Sequence, residues 1–294
     1  MSLSKKTIFL RRLSSTLVLW TVILGTILMG WEIGIYLIIS GLGLIALWEF
    51  FTMLDVSKRP NFKLFGMGCG LVMLTGGYYW SQRNGPPSAY DFELAILMTF
   101  MLGVFARQMF QKTRDPVPLE TMAYTIFGLL YVVWLFSFVT KVVYIVPRNP
   151  DHTIAGQFYL LYLLVVTKFS DMGAYVTGSL IGKHKLVPHI SPAKTWEGFF
   201  GALAFSVAAS IGLWKLLPEK LALLNMDHCI VLGLALGFAA IVGDLGESLI
   251  KRSANVKDSG TFLPGIGGSL DLIDSLLFTA PLLYFYLRLI VLPL

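Results

Sequence analysis

The chain has 294 residues, 56% of them hydrophobic and only 14% charged, with a formal net charge of +6 and a mean hydropathy of +0.73. A soluble domain carries about 25% charged residues, and apolar stretches of roughly 20 residues, enough to cross a ~30 Å hydrocarbon core, recur here along the whole length. This composition excludes a soluble globular protein, and the basic excess reads as membrane topology rather than as a nucleic-acid surface.

Taken in order, the apolar runs predict about nine membrane helices, near 14–30, 33–54, 64–80, 90–110, 119–146, 155–182, 196–217, 228–250 and 271–292. The expected fold is therefore an all-α, polytopic integral membrane protein. Only Trp31 and Glu32 separate the first two runs, so length alone admits eight. No small-residue cleavage site follows the first run, which reads as a retained anchor.

Charge supports nine. With a cytoplasmic N-terminus carrying Lys5, Lys6, Arg11 and Arg12, alternate loops hold Lys58, Arg59 and Lys63; Arg107, Lys112 and Arg114; Lys183, Lys185 and Lys194; and Lys251, Arg252 and Lys257. That places 16 of the 23 basic residues inside, as cytoplasmic loops require. Arg83, Lys141, Arg148, Lys215 and Lys220 fall outside, Lys168 lies within a span, and Arg288 is near the outer C-terminus. The two cysteines, Cys69 and Cys229, have neither disulfide nor metal spacing. No internal repeat argues for an inverted-repeat transporter.

Composition divides the chain near residue 150. Residues 1–150 carry few intramembrane ionisable groups and read as scaffold or contact surface; residues 151–294 read as the catalytic region, with their polar clusters toward the cytoplasmic face.

The first cluster is "KFSDMGAYVTGSLIGKHKLVPHISPAKTWEG", Lys168 to Gly198. Lys168 and Asp171 stand at i, i+3 and can simply pair. Gly178 and Gly182 permit close helix packing. Lys183, Lys185 and Lys194 surround a turn bearing Ser191, a setting for polyphosphate or an anionic lipid headgroup. His184 and His189 lack a carboxylate at zinc-ligand spacing.

The second cluster is "GDLGESLIKR", Gly243 to Arg252. Asp244, Glu247, Ser248 and Lys251 share one helical face. Asp244 lies about 10 Å below the following loop at ~1.5 Å per residue. A carboxylate at that depth costs at least ~2.5 kcal/mol unless it meets water, a cation or a partner. An internal ion pair of Asp244 or Glu247 with a lysine is one answer.

The next span, "SLDLIDSLLF", offers another. Asp271 and Asp274 again share a face, where like charges repel unless a cation or proton intervenes. A helix cap explains one of them, not both together with Asp244. Three such acids suit a hard divalent cation, Mg²⁺, which prefers oxygen ligands and phosphate company. Between the two helices, "VKDSGTFLPGIGGS" sets Gly265, Gly267 and Gly268 ahead of a helix start, which favours phosphate. The residues together describe a membrane site for Mg²⁺ and phosphates with access to lipid.

"SLIKRSANVKDSGTFLPGIGGSLDLIDS" resembles the C-terminal signature of the phosphatidate cytidylyltransferase (CDP-diacylglycerol synthase) family, and "DMGAYVTGSLIGKHKL" and "ISPAKTWEG" resemble two further blocks in the same order. The likeness is dense over about residues 168–275. It implies that CTP and phosphatidate give CDP-diacylglycerol and pyrophosphate, with Mg²⁺, a second cation of open identity, and a homodimer; a hydrophobic chain of this size suits a bacterial inner membrane. Asp244, Asp271 and Asp274 match positions that hold the catalytic cations. Lys251, Arg252 and Lys257 match phosphate-neutralising positions, and Asp258 completes a Lys-Asp pair. Ser191, Lys194, Thr195 and Glu197 match the serine-proline block of nucleotide or phosphate contacts, to which Asp171 and Lys183 are added.

The chain departs from the family pattern at Ile266, where histidine is usual, at Leu272, where arginine is usual, and at Ala193, often lysine. The first two remove polar or cationic groups near the expected phosphates. Rival readings are a CTP-dependent lipid kinase, which moves the γ-phosphate to an alcohol, and a non-catalytic protein that binds anionic lipid.

Overall fold

The computed structural model describes residues 5–111, 117–149, 153–260, 262 and 267–292, with side chains for Ser14 and from Thr16 onward. The helices are α1 (Lys5–Leu28), α2 (Glu32–Val56), α3 (Lys63–Asn84), α4 (Pro86–Phe110), α5 (Pro118–Gly128), α6 (Leu135–Tyr144), α7 (Gln157–Ile181), α8 (Trp196–Leu216), α9 (Met226–Ser253) and α10 (Ser269–Tyr286). A wide π turn, Leu129–Trp134, joins α5 to α6 in one rod, and another, Leu287–Val291, extends α10. One antiparallel hairpin, β1 (Lys185–Val187) with β2 (Ser191–Thr195), interrupts the all-α design.

Among the described residues, seven of these helical rods are long and apolar enough to cross a membrane: α2, α4, α5 through α6, α7, α8, α9, and α10 with its π turn. The expectation of about nine is corrected on that count. In α1 only Thr16–Leu28 forms a shorter apolar helix. In α3, five glycines and the polar end Ser81–Asn84 dilute the hydropathy. Two of those glycines serve packing: a Cβ on Gly66 would lie 2.7 Å from the Phe51 ring, and one on Gly70 would lie 2.8 Å from Leu47. On α4, Leu94, Met98, Met101, Leu102 and Phe105 are exposed at helical spacing, a face suited to lipid rather than water.

The chain forms two compact units. The first takes Met1–Lys141 and Ser253–Ile273. Its interior is built on α2, where Ala46, Leu47, Phe50 and Phe51 are buried. Within it, Lys141, placed by charge alternation on the outer side, is 1% exposed and pairs with Glu93 at 2.6 Å. Ser137 Oγ accepts a further hydrogen bond from Lys141 at 3.0 Å.

The second unit takes Val142–Arg252 and Asp274–Leu294. Small residues let its helices approach closely, as packing in lipid favours. A Cβ on Gly173 would lie 2.7 Å from the Gly201 carbonyl, joining α7 to α8. Ser206 and Ser210 of α8 donate to the carbonyls of Gly233 and Cys229 on α9, at 2.7 and 2.6 Å. At Gly243, α9 meets the α10 backbone: a Cβ there would be 2.6 Å from the Asp274 carbonyl oxygen.

Candidate active site

That crossing at Gly243 builds the site. Asp244 follows it directly, Glu247 lies one turn on, and Asp274 belongs to the α10 turn against Gly243. Each of these three acids presents a carboxylate oxygen within 4.8 Å of the others. Glu247 and Asp274 are buried, at 1% and 7% exposure, while Asp244 is part-exposed. Lysines accompany them: Lys194 Nζ is 2.7 Å from Asp244 Oδ2, Lys251 Nζ is 2.6 Å from Glu247 Oε2, and Lys168 Nζ is 3.0 Å from Asp171 Oδ2. Lys168 also donates to Ser275 Oγ at 3.4 Å, next to Asp274, whose Oδ1 accepts from Ser275 N at 2.6 Å.

The cluster therefore holds four carboxylates and three ammonium groups. Three hard oxygen donors around one point fit a divalent cation of the Mg²⁺ type. A cavity of about 460 Å³ adjoins them, lined by Asp171, Ser191, Lys194, Thr195 and Asp244 among others. Its size lies in the usual range for small-molecule sites, about 300–1,000 Å³.

The hairpin aims the serine-proline block into this cavity. Lys185 pairs with Thr195 and Val187 with Ser191, across a turn at Pro188. Thr195 ends the hairpin and caps α8, its Oγ1 accepting from Gly198 N at 3.1 Å. That side chain sits where Cβ atoms on Gly178 and Gly182 would come within 3.2 and 2.7 Å of Oγ1, so these glycines make room for it. Glu197 holds the other end of the turn, pairing with His184 Nδ1 at 2.7 Å. Ser191 and Lys194 face the cavity, whereas Thr195 and Glu197 fix the frame around it. Lys183 and Arg252 are exposed.

In the first unit, the turn that follows α9 reaches Asn255, whose φ of +54° is the left-handed conformation that asparagine tolerates. Lys257 and Asp258 follow, both exposed. Asp271 belongs to this unit. Its Oδ2 accepts from Ser259 Oγ and from Gly268 N, each at 2.8 Å. The Gly268 bond is the backward arm of a capping box, an N3 carboxylate reaching the N-cap amide. Gly267 has a φ of +130°, and a Cβ there would be 2.9 Å from Asp271 Oδ2. Gly265 and Ile266 lie outside the described residues; Leu272 is half-buried.

Two acids escaped the motif reading. Glu247 was visible on the Asp244 face but read only as a lysine partner. Glu49 stands alone in "IALWEFF" on α2; its depth in an apolar span was the available signal. It is 5% exposed, and its Oε2 accepts from Leu270 N at 2.9 Å.

Residues 10–290 match the family described as Cytidylyltransferase family. The chain is 33% identical over 256 residues to the phosphatidate cytidylyltransferase of Bacillus subtilis (strain 168), covering 86% of this chain and 88% of that one. Over 130 residues it is 45% identical to the phosphatidate cytidylyltransferase of Staphylococcus aureus (strain COL), 44% of this chain and 48% of that one. Over 164 residues it is 37% identical to the Escherichia coli (strain K12) protein named "Uncharacterized protein YnbB", 56% of this chain and 50% of that one. The match thus spans about half the length of the staphylococcal and Escherichia coli relatives and most of the Bacillus one.

Proposed function

Because the chain belongs to the cytidylyltransferase family, we propose that it transfers CMP from CTP to phosphatidate, giving CDP-diacylglycerol and pyrophosphate. The observation that carries this reading is the convergence of Asp244, Glu247 and Asp274 beside a cavity lined by Lys194 and Ser191 in a membrane protein.

A phosphate oxygen of phosphatidate attacks the α-phosphorus of CTP. The bond from that phosphorus to the bridging β-phosphate oxygen breaks, and pyrophosphate leaves with the electron pair. No covalent enzyme intermediate is needed, because positioning and charge stabilisation supply the rate. Asp244, Glu247 and Asp274 would hold Mg²⁺, which neutralises triphosphate charge when bound. In this ligand set Glu247 takes the place that the family likeness gives to Asp271. Lys194 and Lys251 supply the cations nearest the phosphates, with Arg252 further out, and Lys257 is a basic position that the family likeness adds. Ser191 offers a hydroxyl to the nucleotide, and Thr195 and Glu197 keep the hairpin in register.

The membrane span content and bacterial relatives support placement in a bacterial inner membrane, and the basic loops around Lys183, Lys194 and Lys251 support a site open to the cytoplasm. A homodimer is the assembly that the family likeness implies; sedimentation in detergent tests it.

The deciding experiment supplies purified protein with Mg²⁺ and CTP labelled at the α- or γ-phosphate, with phosphatidate or a polyprenol as acceptor. Incorporation of α-label into phosphatidate is expected. Incorporation of γ-label into the alcohol replaces the reading with a lipid kinase, and no label in either lipid from folded protein overturns both.

A further inference from the structure

The start of α10 is held by a carboxylate from elsewhere in the chain. Glu49, inside the apolar α2 span, accepts from Leu270 N at 2.9 Å. Two turns earlier on α2, the Leu42 carbonyl accepts from Ser269 Oγ at 2.9 Å. Glu49 thus satisfies a first-turn amide that would otherwise lack an intrahelical acceptor, and a carboxylate there suits the positive end of the helix.

The same carboxylate dictates the neighbouring glycines. A Cβ on Gly260 would lie 2.2 Å from Glu49 Oε1, and one on Gly268 would lie 2.5 Å from Oε2 and 2.9 Å from Gly260 N. Gly260 and Gly268 therefore meet over Glu49. Asp271 closes the same junction from inside, through Ser259 and Gly268. The segment before Gly260 is also tied to α2, since Ser57 Oγ donates to the Ala254 carbonyl. Two amides at this helix start, Gly268 N and Leu270 N, are thus committed to protein carboxylates.

We propose that Glu49 is a positioning residue for the reaction: it clasps the Ser259–Gly268 junction and fixes the start of α10, the helix that carries Asp271 and Asp274. The proposal rests on the transferase reading for its kinetic consequence but not for the clasp itself.

The test compares E49Q, E49L, G260A and E49A/G260A with wild type, as full-length protein in detergent, by hydrogen exchange and by CMP transfer. In E49L, exchange across residues 254–273 should rise at least tenfold with α4, α7 and α8 unchanged. Its kcat should fall at least tenfold while KM for CTP moves less than threefold. E49Q, which keeps an acceptor oxygen for Leu270 N, should restore most of both. G260A should resemble E49L, yet add little in the E49A background, where the Cβ has room. Exchange and kcat in E49L within twofold of wild type would overturn the proposal, as would E49Q behaving like E49L. If E49L does not fold, the Gly260 pair decides: additive losses in E49A/G260A refute the clasp. Should wild type transfer no CMP, the exchange arm still tests the clasp, and it is the transferase reading that fails.

Discussion

Adding one carbon at Gly243 should separate the acid cluster without removing any of its charges. The Cβ of Gly243→Ala would lie 2.6 Å from the Asp274 carbonyl oxygen and 3.0 Å from Ser275 Cα, both backbone, whereas ordinary contact begins at 3.4 Å. Relief requires α10 to retreat by about 0.8 Å, the gap between 2.6 and 3.4 Å. Such overpacking destabilises by about 1–3 kcal/mol, partly offset by the ~1 kcal/mol that alanine gains over glycine in a helix. Stability alone is therefore a blunt readout, but a shift near 1 Å in a reacting site can slow turnover by about 10²-fold. CMP transfer should fall about 100-fold in G243A while thermal unfolding shifts modestly. Gly246→Ala is the control, since its Cβ would meet only the Phe278 ring at 3.9 Å, and it should stay within twofold. If G243A retains kcat within threefold of wild type, the crossing does not set the cluster geometry and the argument fails.

Three further outcomes follow from the same coordinates. Glu247→Gln should raise the Mg²⁺ concentration for half-maximal activity at least tenfold, whereas Asp271→Asn should raise it less than threefold; the reverse order in a Mg²⁺ titration would return Asp271 to the ligand set. Lys141→Met should destabilise by about 3–5 kcal/mol by stranding buried Glu93, while Glu93→Leu combined with Lys141→Met should be less harmful than either change alone; additive losses in detergent melting curves would refute a buried pair. Lys194→Met should tighten Mg²⁺ binding while lowering kcat, for a reason that concerns the whole site.

The helices were readable because an apolar run of membrane length leaves the backbone little choice but to satisfy itself. The acids on α9 and α10 were readable because a charge in such a run needs a reason. Which third acid completes the group was not. Helical spacing places Asp271 and Glu247 equally well, and only the crossing at Gly243, a tertiary contact, brings Glu247 to Asp274. The hairpin at Lys185–Thr195 was also hidden, since its strands are too short for an alternating pattern to register. Glu49 was hidden for another reason: its partner is the Leu270 amide, 221 residues away in sequence, and no motif spans that distance.

If the acids hold a cation as proposed, the ion-pair and metal readings of them would be two states of one site. Lys194 and Lys251 occupy oxygens of the same carboxylates that would bind a cation, at 2.7 and 2.6 Å, so lysine and cation compete. A buried carboxylate left without either would be strongly disfavoured. The lysines pair with Asp244 and Glu247, and on the proposed reading a divalent cation held by those carboxylates would leave the lysines to the nucleotide phosphates. Removing Lys194 deletes the competitor and the phosphate's counter-charge together, which is why cation affinity and turnover should move in opposite directions. A Lys194→Met protein with weaker Mg²⁺ binding and lower kcat would show the lysine to be only structural, and the exchange of partners would have no support.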